Sequence, residues 1–101
     1  MSLRAARARI EDDAFAPKLA RRARLKLDRH ENKYMIVYPE RGLVLNDAAA
    51  SIATRCDGAR TVATIVDELC ALHPDAPRDD IARDVRGFVV DLLDRGLLDL
   101  R

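Results

Sequence analysis

Cys70 and His73 stand three residues apart at the end of an apolar run, the spacing at which a helix end can offer a thiolate and an imidazole to one ion. A closed zinc site needs about four such ligands. Cys56 offers a third and no fourth stands out, so a core thiol beside a helix-terminal imidazole is the preferred reading. His30 is the only other imidazole. A nucleophilic thiol needs a depressed pKa and an oriented base. Asp57 beside Cys56 works the other way, as does the negative end of the helix that Cys56 closes. The carboxylate pairs Asp12-Asp13 and Asp79-Asp80 fall where helix starts and solvated segments would place them and carry no acid-base signal. No glycine loop cradles phosphate. These residue types imply no catalysis, no metal and no cofactor.

The elements that carry them must fit one core, since 101 residues with 49% hydrophobic and 35% charged side chains suit a single domain. With two Phe, two Tyr and no Trp, that core is aliphatic and offers few stacking platforms. The formal charge is +1, divided unevenly: residues 1–30 carry nine cations against four acids (+5), leaving nine against thirteen (−4) for residues 31–101. The Arg-rich opening, residues 1–16, reads as a flexible arm, with a short helix around Ala5 to Ile10 as the alternative. An electrostatic arm for nucleic acid or anionic lipid is its functional counterpart. No run is long and apolar enough to span a bilayer, and the chain reads as cytoplasmic with two reduced thiols.

From Arg24, "RLKLD" alternates apolar and charged residues with the period of a half-buried strand. "KYMIVYP" is a second strand, ended by Pro39, and "GLVLN" a third. Pro39-Glu40-Arg41-Gly42 between them has turn chemistry, with a positive φ available at glycine. Asn46 caps a helix over "DAAASIATR" with Ala49, Ile52 and Ala53 as its stripe, and Asp57-Gly58 stops it. Thr61 caps a second, with Val62, Ile65, Val66 and Leu69 on one face until His73-Pro74. A third begins near Asp75 or Ala76 with Pro77 in its first turn, presents Ile81, Val85, Phe88, Val89, Leu92 and Leu93, and ends at Gly96. The expected fold is α+β and winged-helix-like, a three-stranded antiparallel sheet followed by three helices.

A helical triplet with a β-wing is a common DNA-reading architecture, so a winged-helix DNA-binding protein is one functional class. Charge argues against it: Arg78 to Arg95 holds four basic and five acidic side chains, where phosphates call for a basic excess. The sheet edge is the other candidate. "GLVLN" lacks the lysine or internal proline that blunts an edge strand, so a peptide could add beside it and lay alternate side chains against the wide apolar face of the third helix. The same strand could equally be central, or covered by the N-terminal segment.

"YPE" followed by "LN", then Ala49, Ile52, Asp57-Gly58, Val62, Ile65, Leu69, Asp84-Val85, Phe88 and Gly96, in that order and spacing, resembles the PqqD family of pyrroloquinoline quinone (PQQ) biosynthesis proteins. The resemblance covers residues 17–100, 84 of the 101 positions, and makes residues 17–101 the PqqD-like peptide-binding domain. Here "PERG" puts Arg41 between Glu40 and Gly42, where the family commonly has glycine directly after Glu. The Arg-rich opening is outside the pattern. The resemblance implies a recognition element for ribosomally made, modified peptides: not an enzyme, but a chaperone that binds the precursor peptide PqqA and presents it to the radical S-adenosylmethionine enzyme PqqE. It further implies that the peptide adds beside Leu43, Val44 and Leu45 and packs near Asp84, Val85 and Phe88, with Arg83 or Arg86 available to an acidic leader segment. Val85 and Phe88 equally suit a core role, and Asp84 a bridge to a nearby Arg. No nucleic acid, membrane or cofactor is implied, and either a monomer or a homodimer fits.

Overall fold

The alternating segments do pair into one sheet. In the computed structural model, which describes residues 3–39 and 41–99 (Leu3 by its backbone alone), β1 (Arg24–Asp28), β2 (Lys33–Tyr38) and β3 (Arg41–Val44) form an antiparallel sheet in the order β1-β2-β3. Four helices accompany it: α1 (Leu3–Ile10) before the sheet, then α2 (Asp47–Ala53), α3 (Val62–Leu72) and α4 (Arg78–Asp94) after it. Leu25 pairs with Ile36 and Ile36 with Leu43, so these side chains share the inner face, where Ile36 is fully buried. Lys26, Met35 and Val44 share the outer face by the same register.

The caps form as their residue types require. Asn46 Oδ1 accepts from the Ala49 amide at 2.8 Å, and Thr61 Oγ1 accepts from the Thr64 amide at 3.1 Å. Buried Val62, Ile65, Val66 and Leu69 of α3 meet Ile81, Val85, Val89, Leu92 and Leu93 of α4 in one core. In α2 the buried residues are Ala50, Ile52 and Ala53, with Ala49 partly covered. Pro77 is the N-cap of α4 rather than a first-turn residue, and it supplies no side-chain cap.

Two turn details differ from expectation. The register pairs Tyr38 with Arg41, so Gly42 lies inside β3 and does not have a positive φ. A Cβ there would stand 2.9 Å from Met35 Cε, the far end of a flexible side chain that can swing aside. Glu40 of the same turn lies outside the described residues, as does Leu100 at the end of the family-like stretch. Gly58 does take a positive φ, 81°, but α2 has already ended at Ala53 with Thr54 as its C-cap. Gly58 serves the loop, where its amide donates to Pro17 O at 3.0 Å.

The opening segment departs from the flexible arm expected over residues 1–16. α1 packs along α4 with Ala6 1% and Ile10 0% exposed. Ala6 and Ile10 are four apart and therefore meet the same neighbour, while the arginines turn outward. Arg7 makes two bonds to the Asp94 carboxylate, at 3.0 and 2.7 Å, and Asp13 pairs with Arg86. Residues 15–20 are then laced into the rest of the chain. Val62 N donates to Phe15 O at 2.8 Å, Leu19 N to Cys56 O at 3.3 Å, Ala20 N to Leu97 O at 2.7 Å and Asp99 N to Lys18 O at 2.7 Å. We expect Ile10→Ala to lower the unfolding free energy by about 2–4 kcal/mol, the usual cost of truncating a buried aliphatic side chain. Urea denaturation measures it, and a loss under about 0.5 kcal/mol, typical of exposed positions, would show that α1 is not docked.

Candidate functional site

The sheet has two outer strands, and their chemistry differs. β1 carries Arg24, Lys26 and Asp28, charges of the kind that blunt an edge. β3 reads Arg-Gly-Leu-Val and, among the described residues, pairs as a strand with β2 alone. The Leu45 amide donates to Tyr34 O at 2.9 Å. In an antiparallel ladder every second residue faces the partner strand, so Leu45, Leu43 and Arg41 spend their amides and carbonyls on β2. Gly42 and Val44 turn theirs to the open side. Side chains follow the same alternation: Leu45 is 4% exposed and Leu43 half-buried on the inner face, whereas Val44 is 62% exposed on the outer one.

α4 approaches this edge indirectly. β3 packs chiefly on β2, and α2, which follows β3 after Leu45 and the Asn46 cap, packs on both β2 and α4. Asp84 and Val85 of α4 border a cavity of about 80 Å³ together with Ala48 and Ser51 of α2 and His73 at the end of α3. Asp84 is exposed at its mouth. Val85 is fully buried, and its side chain belongs to the core. Phe88 lies half-buried against that core.

The two arginines read as partners for an acidic segment are both engaged. Arg83 bonds Asp80 at 3.1 Å on the exposed surface. Arg86 is paired with Asp13, and its Nε is buried without an acceptor among the described residues. Residues 86, 90 and 94 follow one another at helical spacing, and Arg86 and Asp94 are the partners of Asp13 and Arg7. That flank of α4 is therefore covered by the N-terminal segment, on a different side from Asp84. The structure thus groups Leu43, Val44, Asp84 and Phe88 as accessible or half-accessible, places Leu45 and Val85 in the core, and separates Arg86. Arg78 is likewise paired, with Asp67 at 2.7 Å, which leaves little cationic surface on α4 for a phosphate backbone. Gly42, with its outward amide and carbonyl, is not marked by any side-chain pattern; the inward alternation of Leu43 and Leu45 is the signal that could have found it.

The shifted titratable groups answer to burial and to local ion pairing. Both cysteines are free. Burial first and the Asp57 charge second push the Cys56 thiol from 9.0 up to about 12, the opposite of an activated nucleophile. Asp57 accepts the amides of Arg60 and Ala59 at 2.9 Å each, and these bonds, with the Arg60 guanidinium, hold its carboxyl below the ordinary 3.8. Glu68 accepts from Arg60 and Arg55 and is held below 4.5 by their hydrogen bonds and charge. Among the described residues no three His, Cys, Asp or Glu gather closely enough to hold a metal ion, and no helix is long and apolar enough to cross a membrane.

Two consequences can be measured. At about pH 8 a thiol reagent should modify half-buried Cys70 in the folded protein and reach Cys56 only on unfolding; equal rates would contradict the burial. Cys56 has a raised folded pKa, so its contribution to stability is intact below 9.0 and is lost as pH rises from there toward about 12. Asp57 and Glu68 have lowered values, so their contribution is present above 3.8 and 4.5 and disappears as pH falls through the folded values below these. Thermal melts across pH should therefore decline at both ends, and Glu68→Gln should flatten the acid limb.

Comparison with known proteins shows the family and the fold. Residues 33–98 match the family described as Coenzyme PQQ synthesis protein D (PqqD). The chain is 45% identical over 82 residues to the PqqA binding protein of Rhodopseudomonas palustris strain TIE-1, spanning 81% of this chain and 79% of that one. It is 34% identical over 85 residues to the PqqA binding protein of Stutzerimonas stutzeri strain A1501, spanning 84% and 90%. The fold resembles the solution NMR structure of the PqqD truncation of Methylobacterium extorquens PqqCD, a functional and stand-alone recognition element for ribosomally synthesized and post-translationally modified peptides. The TM-score is 0.70 at 31% identity, over 82% of this chain and 87% of that one.

Proposed function

Because the chain belongs to the PqqD family, we propose that it binds the precursor peptide PqqA as a fourth strand on β3 and presents it to the radical S-adenosylmethionine enzyme PqqE, catalysing no step itself. The observation that carries this reading is the outward pair Gly42 and Val44, whose amides and carbonyls lie on the side of β3 away from β2. A guest strand satisfies them with the same geometry that β2 uses on the other side. Its residues alternate in turn. Those facing inward come beside half-buried Leu43 and toward the Asp84 and Phe88 flank of α4, while those facing outward come beside Val44. Leu45 and Val85 act by holding the edge and the helix in place.

The benefit to the enzyme is positional. A flexible peptide held on a domain that also docks to PqqE meets the enzyme at high effective concentration. Ordering the peptide costs free energy, so a micromolar or somewhat tighter dissociation constant, about 1 μM or below, is in keeping with a carrier that must release its cargo. A second copy pairing on the same edge would compete with the peptide, so the monomer is the peptide-receiving form.

Amide hydrogen exchange tests the assignment residue by residue. In the free protein the Leu43 and Leu45 amides should be protected and those of Gly42 and Val44 should exchange freely; adding PqqA should slow the second pair selectively. Val44→Pro removes an outward donor and leaves the β2 ladder its partners, so it should stay folded and bind PqqA at least roughly tenfold more weakly, by the loss of one hydrogen bond and its neighbours. Protection confined to other regions, or full affinity in a folded Val44→Pro protein, rules out strand addition.

A further inference from the structure

Cations and acids are divided between the two layers of the fold. Residues 18–44, which hold the sheet, carry eight Lys or Arg against three acids, whereas residues 47–95, which hold α2, α3 and α4, carry six against ten. The ion pairs among the described residues all belong to the helices, their loops and the N-terminal segment. Arg24, Lys26 and Lys33 take part in none of them, and the register puts all three on the outer face of the sheet, Arg24 beside Val37 and Lys26 beside Met35. At the β1–β2 turn the charges balance: Lys33 stands opposite Asp28, and Arg29 and Glu31 follow in the turn itself. Arg24 and Lys26, toward the other end, have no acid beside them in the described ladder.

Between these cations and the open edge the outer face is aliphatic. Val37 is 37% and Val44 62% exposed, Met35 is half-buried, and Gly42 adds no side chain. Charge on β1 discourages edge pairing, but it does not account for the uncovered apolar residues beside it. A protein surface with carboxylates around an apolar patch fits both features. Nucleic acid fits less well, because Tyr34 and Tyr38 alternate onto the inner face with Ile36 and leave no ring on the outer face for bases to stack on. A guest strand on β3 carries its outward side chains on this same face, next to Gly42 and Val44. Four strands at about 4.8 Å spacing present a surface roughly 15 Å across, so a partner lying over it touches domain and peptide at once.

Resting on the presentation reading, we propose that the outer face, with Arg24 and Lys26 at its rim and Val37 and Met35 in its floor, docks an acidic protein surface, that of the enzyme receiving the peptide. Titration calorimetry of the full chain with PqqE, and separately with PqqA, tests it. Lys26 is exposed, so Lys26→Glu should melt as the parent does. Its affinity for PqqE should fall at least about fivefold, through lost attraction and new repulsion, with affinity for PqqA unchanged, and Arg24→Glu should act alike. The same charge change at exposed Arg4, on α1, should cost less than about twofold, since solvent and salt screen a charge so placed. Raising salt from about 0.05 to 0.5 M should weaken PqqE binding several-fold and PqqA binding little. Undiminished PqqE affinity in both Lys26→Glu and Arg24→Glu overturns the docking face and leaves presentation standing; equal losses at Lys26 and Arg4 overturn it by reducing the effect to net charge. A duplex oligonucleotide or phosphatidylserine vesicle bound more tightly than PqqE, and lost in Lys26→Glu, gives the face to phosphates and overturns it too. A parent chain that binds PqqA but not PqqE removes presentation, and the docking face with it.

Discussion

A β-strand has hydrogen-bonding groups on both sides, and β3 is committed on one. The backbone phase decides which groups are spent: with the Leu45 amide on Tyr34 O, Arg41 and Leu43 also face β2, and Gly42 and Val44 turn outward. The side-chain alternation that accompanies this phase sends Leu43 and Leu45 inward as anchors. An unpaired edge exposes a protein to self-association, and this one is kept short. β3 has four residues, and the Asn46 cap converts the chain to α2 immediately afterwards. The cap thus limits both the length of the ladder and the hazard it carries.

What keeps the edge in register is packing more than charge. The buried residues of α2, α3 and α4 form one cluster with Ile36 of β2 and Leu45, and burial of this kind dominates the favourable free energy of a small domain. The carboxylate and guanidinium groups of Asp57, Arg60, Glu68 and Arg55 connect the α2–α3 loop to α3, but such solvent-accessible pairs contribute little each. They orient a loop whose backbone is already fixed by the strand-like contact of Lys18 with Asp57 and by the bonds of Leu19 N to Cys56 O and Gly58 N to Pro17 O. α1 adds to the same core from outside the stretch that matches the family.

Much of this was legible in the residues because the signals are local. Alternation in "RLKLD", the β-branched and aromatic content of "KYMIVY", the oxygen of Asn46 and the oxygen of Thr61 depend on neighbours within a few positions. The remainder depends on partners far along the chain. Arg7 reads as a solvated charge until Asp94 is brought to it, and Arg86 reads as available until Asp13 takes it. Gly42 reads as a turn residue because glycine is common there, while the pairing of Tyr38 with Arg41 carries it into β3 opposite Val37. At the site, the family resemblance pointed to Leu43, Val44 and Leu45 together, but only pairing decides which of them face inward. The resemblance named Asp84 and Val85 together, and it is their adjacent positions on α4 that leave one exposed and the other in the core.

Main-chain pairing alone cannot choose a peptide, since every residue except proline offers the same donor and acceptor. Discrimination must come from side chains, and on this edge the two faces are unequal. The inner face is largely spent: Leu45 is buried, Leu43 half-buried, and Val85 lies beneath the surface, so under the proposed strand addition inward guest residues meet a shallow apolar strip that rewards size more than identity. The outer face is open at Val44 and leads to Glu31 and Lys33, charges without ion-pair partners among the described residues. Under the proposed strand addition, affinity comes from backbone pairing and apolar contact, terms that salt screens little.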